Sequence, residues 1–243
     1  ISDIGYSGRL TTAKERKVEV CSSPKMFDDS IIIIDTSSIV PFCDKDPFNS
    51  KSNMTHALIA RNIMRSFAEV PNSGNIGFCA PFKAQIKLMK KISEEENYKE
   101  NVSIGTIHTF QGDEKATVIF DSVESLGEDW NIFIPHGQQS PSKSSTLTVA
   151  VSRAQQKLIF IANLGYLDRK IPAQGYFRHI LYEAQKTGKV IDAQSIINLE
   201  TLESELSAHK DDFVELGLDV TGLNSGLVDQ DLFFPLLKKD IEK

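Results

Sequence analysis

Five short apolar runs, separated by stretches with helical spacing, constrain the fold of this chain more than any other feature. They are Ile31-Ile32-Ile33-Ile34, Ile76-Gly77-Phe78-Cys79, Val102 to Thr106, Thr117 to Asp121 and Leu158 to Ala162. Runs this short and this apolar are the signature of strands buried on both faces. Between the first two, Ile59, Ile63 and Phe67, with Ala60 and Met64 beside them, recur at spacings of three and four and mark one face of a helix. Pro71-Asn72-Ser73-Gly74 ends that helix. Between the second and third, Ile86, Met89 and Ile92 predict a helix from about Phe82 to Ser93. Strands alternating with helices predict an α/β fold: a mostly parallel sheet with helices on both faces.

Composition narrows the function classes. At 243 residues the chain can bury one sizeable core, or one domain and an appendage. Its formal charge of -6 argues against a broadly basic surface, so a nucleic-acid contact is expected to be a local groove. Cys21, Cys43 and Cys79 are widely spaced, odd in number and without a Cys-x-x-Cys pair. That favours a reducing setting, cytoplasmic or nuclear, and no zinc or other metal held by this chain. No apolar run approaches the roughly 18 residues of a membrane span, and the opening residues are not expected to be a secretory signal.

Two polar stretches sit beside these apolar runs. Ser103-Ile104-Gly105-Thr106-Ile107-His108-Thr109-Phe110-Gln111-Gly112-Asp113-Glu114 precedes Ala116 to Phe120, and Thr148-Val149-Ala150-Val151-Ser152-Arg153-Ala154 precedes Leu158 to Ala162. Ligands of open α/β sheets gather at strand ends, so both stretches are candidate site segments. A third candidate is Asn75-Ile76-Gly77-Phe78-Cys79-Ala80-Pro81-Phe82-Lys83-Ala84-Gln85, a strand ending in a proline-aromatic pair and a helix opening with glutamine.

In that order the three segments resemble motifs IV, V and VI of the second RecA-like domain of superfamily 1 helicases, in the branch of RNA-surveillance helicases and related DNA helicases. Gly5-Tyr6-Ser7-Gly8-Arg9-Leu10 is similar to the aromatic-x-Gly-x-Leu segment that follows the first-domain motifs, and the likeness covers roughly residues 1 to 165. The resemblance implies a RecA-like, P-loop NTPase fold and a motor that hydrolyses ATP while moving, 5′ to 3′, along single-stranded DNA or RNA. Arg153 is then the arginine finger, stabilising charge that develops on the transferred phosphoryl group from a place in the first turns of a helix with inward valines. A surface salt bridge is its ordinary alternative. Glu114 would accept a hydrogen bond from the nucleotide ribose, Gly112 would let the backbone approach the phosphates, and Gln111 belongs to the same turn. A plain hairpin turn is the competing account of those residues. Pro81, Phe82, Thr106, His108 and Thr109 would face the nucleic-acid track, positioning phosphates without reading bases.

The sequence departs from the family pattern in two places. Several relatives carry arginine directly after the motif IV glutamine, where Ile86 stands here; Lys83 is the candidate to reach the same nucleotide phosphate, as a point charge rather than a fork. Thr148 replaces the asparagine that often begins motif VI. A phosphate-cradling Gly-x-x-x-x-Gly-Lys-Ser/Thr loop is not found. Gly188-Lys189 is only a decoy, with Glu183 and Val190 at the flanking key positions, and Ile31 to Asp35 imitates a magnesium-holding strand with no such loop before it. ATP and magnesium are therefore expected to be held mainly by a preceding first RecA-like domain, the expected partner of this one.

The expected division is a lead-in over 1–30, the motor domain over 31–165, and a helical appendage or the start of a further domain over 166–243, with helical patterning at Tyr176 to Lys186 and Ser195 to His209. The insertion from Glu124 to Ser145 holds Trp130, Ile132 and Phe133, expected to pin it to the domain, and a polar half expected to be a mobile loop. The other functional class consistent with these residues is a non-catalytic RecA-like module that binds nucleic acid or protein.

Overall fold

The structure is a computed structural model and describes residues 20–39, 41–94, 96–110, 113–127, 141–172 and 175–198, with 201, 202, 204 and 208. The Gly5 to Leu10 segment, Gln111, Gly112, Trp130, Ile132, Phe133 and, within the Ser195 to His209 stretch, residues 199, 200, 203, 205–207 and 209 lie outside the described residues.

In chain order the strands are β1 (Ile31–Asp35), β2 (Asp44–Lys45), β3 (Lys51–Ser52), β4 (Ile76–Ala80), β5 (Val102–Thr106), β6 (Lys115–Asp121), β7 (Ala154–Ala162) and β8 (Lys189–Asp192). The α-helices are α1 (Met54–Ala68), α2 (Lys83–Ile92), α3 (Pro141–Ser152), α4 (Leu164–Lys170) and α5 (Tyr176–Thr187). Six strands form one sheet in the order β5-β4-β6-β7-β1-β8, and every pairing in it is parallel. Strands β2 and β3 make a separate small antiparallel hairpin.

The apolar runs are continuous because both faces of the sheet are covered. Along β1, Ile32 and Ile34 join one core cluster and Ile33 the other; β7 divides Ile159 and Ile161 from Leu158 and Phe160 in the same way. The first cluster takes in Ile59, Ile63 and Phe67 of α1 and Ile86, Met89 and Ile92 of α2. The second takes in Leu147, Ala150 and Val151 of α3, Tyr166 and Leu167 of α4 and Phe177, Ile180 and Leu181 of α5. The α/β architecture with helices on both faces is thus the one that the alternation predicts. Asn53 starts α1 as an N-cap, its side-chain oxygen accepting the backbone N–H of His56 at 3.1 Å, and Asn163 does the same for Tyr166 at the start of α4.

Two features differ from expectation, and one rules out a competing account. The boundary expected at residue 165 does not close the sheet: β8 pairs with β1, and α5 packs on the same face as α3 and α4. Strand β8 is short and at an edge, with Val190 46% exposed, so its apolar pattern carries little signal. The decoy pair Gly188-Lys189 opens this strand, and Gly188 has a structural cause: a methyl there would run into the backbone carbonyl oxygens of Ile31 and Ala184. Second, the plain hairpin turn, the competing account of the segment between β5 and β6, is set aside, because β4 lies between those strands. Third, α3 begins at Pro141, inside the stretch expected to be loop, so Val149 to Ser152 are its last turn rather than its first.

Candidate functional site

A parallel sheet has a carboxyl edge, where all strands end, and an amino edge, where they begin. The candidate residues divide between the two.

At the amino edge, α3 returns the chain to the start of β7 and leaves half-buried Arg153 in the turn between them. The Lys115 backbone N–H donates to the Arg153 carbonyl oxygen at 3.0 Å, and Lys115 pairs with Ala154 at the start of the sheet register. Glu114 immediately precedes this point, and its carboxylate accepts a hydrogen bond from Gln155 Nε2 at 2.9 Å. The Arg153 guanidinium folds back on its own helix, donating from Nε to the Val149 carbonyl at 3.2 Å and from Nη2 to Ser152 Oγ at 3.0 Å. Glu114 and Arg153, forty residues apart in sequence, thus flank neighbouring strand starts. Thr148, in place of the expected asparagine, hydrogen-bonds with the Tyr176 hydroxyl and ties α3 to α5.

At the carboxyl edge, β5 ends in Thr106 and runs into a 3-10 turn, Ile107–Phe110, that folds back over the sheet. Gly105 permits this: a methyl there would stand 2.7 Å from the Thr109 Cβ. Thr106 Oγ1 and Thr109 Oγ1 lie 3.3 Å apart, Thr106 is half-buried, and Thr109 and His108 are exposed. Strand β4 ends here too, followed by half-buried Pro81 and by Phe82 at the N-cap position of α2. Phe82 is only 3% exposed and belongs to the core, so its ring is not available to stack on a base; the expectation that it faces the track is corrected. Lys83 is exposed on the first turn of α2, at this edge and not beside Glu114 and Arg153.

Beneath the carboxyl edge lies a buried polar network that the sequence reading did not anticipate. Asp121, at the end of β6, meets His56 Nδ1 through Oδ1 at 2.8 Å and accepts Gln85 Nε2 on Oδ2 at 2.7 Å. The other imidazole nitrogen of His56 lies 3.1 Å from Thr36 Oγ1, just after β1. Gln85 completes a two-way link to Asn53, accepting its N–H at 2.7 Å and donating to its carbonyl at 3.0 Å. His56, Gln85 and Asp121 have no solvent exposure, which explains why each is hydrogen-bonded. The motif IV glutamine is therefore spent on holding α2 against α1 and β6. Burial, with the Asp121 carboxylate adding to it, pushes the neighbouring Cys79 thiol far above the ordinary thiol range. Asp35, the imitation of a magnesium carboxylate, accepts the Ser37 and Leu164 backbone N–H groups at 3.0 and 3.2 Å and so fixes two loops.

Only the N-cap of this network was open to sequence reading: Asn53 before an apolar-periodic helix is a start signal. The rest depends on which strand ends meet, and periodicity carries no such information. Among the described residues no group of three or more His, Cys, Asp or Glu side chains could hold a metal ion. No described helix is long and apolar enough to cross a membrane.

Comparison with known proteins identifies the family of this fold. A family model described as AAA domain matches residues 1–165. The chain is 31% identical over 107 residues to DNA polymerase alpha-associated DNA helicase A of Saccharomyces cerevisiae, covering 44% of this chain and 14% of that protein. It is 27% identical over 105 residues to Helicase sen1 of Schizosaccharomyces pombe, covering 42% of this chain and 6% of that protein. It is 25% identical over 191 residues to DNA replication ATP-dependent helicase/nuclease DNA2 of Mus musculus, covering 75% of this chain and 16% of that protein. The chain thus spans well under a fifth of the length of each of these relatives. With its six-stranded parallel sheet and its match over 1–165, the chain belongs to the AAA domain family as a superfamily 1 helicase-like domain.

Proposed function

We propose that this chain is the second motor domain of an ATP-dependent helicase or translocase acting on single-stranded DNA or RNA. The observation that supports this reading is the division of the candidate residues between opposite edges of one sheet, Glu114 and Arg153 at the amino edge, Thr106, His108 and Thr109 at the carboxyl edge. Such a division would let nucleotide and strand bind at different edges of the lobe that moves. ATP and magnesium would be held mainly by the first RecA-like domain. Against it this domain would present Gln111, Gly112 and Glu114 to the nucleotide and deliver Arg153 to the phosphoryl charge. Lys83 was the sequence candidate for a second nucleotide phosphate contact; its place at the carboxyl edge favours a strand phosphate instead. Pro81, Thr106, His108 and Thr109 would contact the strand backbone, positioning it without reading sequence.

The alternative, a non-catalytic module that binds nucleic acid or protein, draws on one observation: the Arg153 guanidinium is engaged by its own helix. A crossed measurement on the full-length protein separates the two. Thr106→Ala with His108→Ala is expected to weaken single-strand binding similarly for all sequences while ATP affinity stays at wild type, and Glu114→Ala to do the reverse. If either change moves both affinities together, the division of labour between the edges is wrong.

A further inference from the structure

We propose that Phe48, at the tip of the β2–β3 hairpin, is a stacking platform for a base of the bound single strand. The inference rests on the reading that the carboxyl edge carries the strand, and it adds a contact to bases where the motif residues offer contacts to phosphates.

Phe48 is 87% exposed, unusual for a large aromatic side chain, while nearby Phe82 is buried. Its exposure belongs to a built turn. Asp46, only 8% exposed, accepts the backbone N–H groups of Phe48 and Ser50 on Oδ1 at 2.9 and 2.8 Å. The Asp46 N–H closes the turn onto the Ser50 carbonyl at 2.9 Å, and Asn49 takes the left-handed conformation at φ 59°. The ring is thus presented on a fixed backbone, and a backbone fixed before binding loses less entropy when a ligand covers the ring.

The hairpin is also anchored where the proposed track runs. Ser50 Oγ accepts the Ala84 N–H at 2.9 Å in the first turn of α2. Lys51 reaches Glu124, just past β6, at 2.7 Å and lies over the Phe82 ring. Exposed Lys45 lies on the hairpin, and exposed Lys83 and Lys87 share one face of α2, four residues apart. In a chain of charge -6, an exposed aromatic on a braced turn, with exposed lysines on the same hairpin and on the adjoining α2, suits a polyanion that carries π faces. Single-stranded nucleic acid has that chemistry, and stacking accepts any base.

The test uses the full-length protein and two fluorescent single strands of equal length, one of thymidylates and one of abasic sugar-phosphate. Wild type is expected to bind the base-bearing strand more tightly. Phe48→Ala should lose about tenfold for that strand, in the range of one base–aromatic stack, and nothing for the abasic one. Phe48→Trp should keep the difference and add fluorescence quenching by the base-bearing strand beyond any shown by wild type, which carries Trp130. Unchanged thermal unfolding of Phe48→Ala is the control for folding, expected because the side chain is exposed. If Phe48→Ala binds both strands like wild type, or weakens both equally, Phe48 is no stacking platform although the edge still carries the strand. If wild type binds neither strand, the reading of the edge itself fails.

Discussion

The backbone N–H of Lys115 donates to the carbonyl oxygen of Arg153 at 3.0 Å, joining the start of β6 to the turn before β7. Because Glu114 immediately precedes Lys115, the bond fixes the backbone on which both proposed nucleotide contacts stand. Side-chain freedom remains, since among the described residues the Arg153 guanidinium is held by Val149 and Ser152 of its own helix turn and can exchange those bonds for others at little net cost.

Gln155→Ala removes the 2.9 Å hydrogen bond to Glu114 from an exposed position. Denaturant unfolding should then shift by no more than about 0.5 kcal/mol, as for surface substitutions generally. Glu114→Ala is expected to weaken ATP by about tenfold or more if its carboxylate accepts a ribose hydroxyl, a charge-assisted bond. The check is a pair of titrations, with ATP and with a nucleotide lacking ribose hydroxyls: the second should bind Glu114→Ala and wild type alike.

His56→Ala should be among the most destabilising single changes in the chain. It opens a cavity between α1 and the sheet and takes away a buried partner of Asp121, for a combined loss of about 3 kcal/mol or more. Urea unfolding monitored by circular dichroism measures this, with the midpoint falling and the slope unchanged. A loss below about 1 kcal/mol would mean that the network is not formed as described.

Phe82→Ala is expected to cost about 3–5 kcal/mol of stability, as for other buried phenylalanines, while Phe82→Leu costs far less. Neither should change strand affinity per folded molecule. A Phe82→Leu protein that folds normally and binds single strands tenfold more weakly would return this ring to the track.

How much of this was legible in sequence depends on the range of the interactions involved. The five apolar runs became β1, β4, β5, β6 and β7, and the spacings of Ile59, Ile63 and Phe67 and of Ile86, Met89 and Ile92 became α1 and α2, because burial on a strand or helix is a local pattern. Edge strand β8 was missed, and so was the β2–β3 hairpin, whose residues Asp44-Lys45 and Lys51-Ser52 have no apolar alternation to mark them. The motif residues Glu114 and Arg153 were visible through resemblance, but their common edge was not, since strand order is a tertiary property. Lys83 and Phe82 show the same limit: motif spacing placed both near ligands, whereas the turn after β4 puts one in the core and the other at the opposite edge from Arg153.

Cysteine reactivity provides a check on the core that needs no substitution. Burial and Asp121 hold the Cys79 thiol protonated, and Cys43 is fully buried, whereas Cys21 is half-buried near Gln156. Alkylation of the native protein followed by mass spectrometry should modify Cys21 first and leave Cys79 intact until unfolding. Early modification of Cys79 would contradict the packing of β4 between β5 and β6.

The proposal stands or falls on Arg153. Steady-state ATP turnover, stimulated by single-stranded nucleic acid, should be measured in the full-length protein beside equilibrium nucleotide binding for wild type, Arg153→Ala and Arg153→Lys. A finger acts on charge that appears in the transition state, so Arg153→Ala should lower kcat by something on the order of 10³ while nucleotide affinity changes far less. Arg153→Lys should recover little, because a compact ammonium lacks the planar fork. An Arg153→Ala protein with near-normal kcat would contradict the account, and a wild type without strand-stimulated turnover would leave the non-catalytic binding module as the reading of this chain.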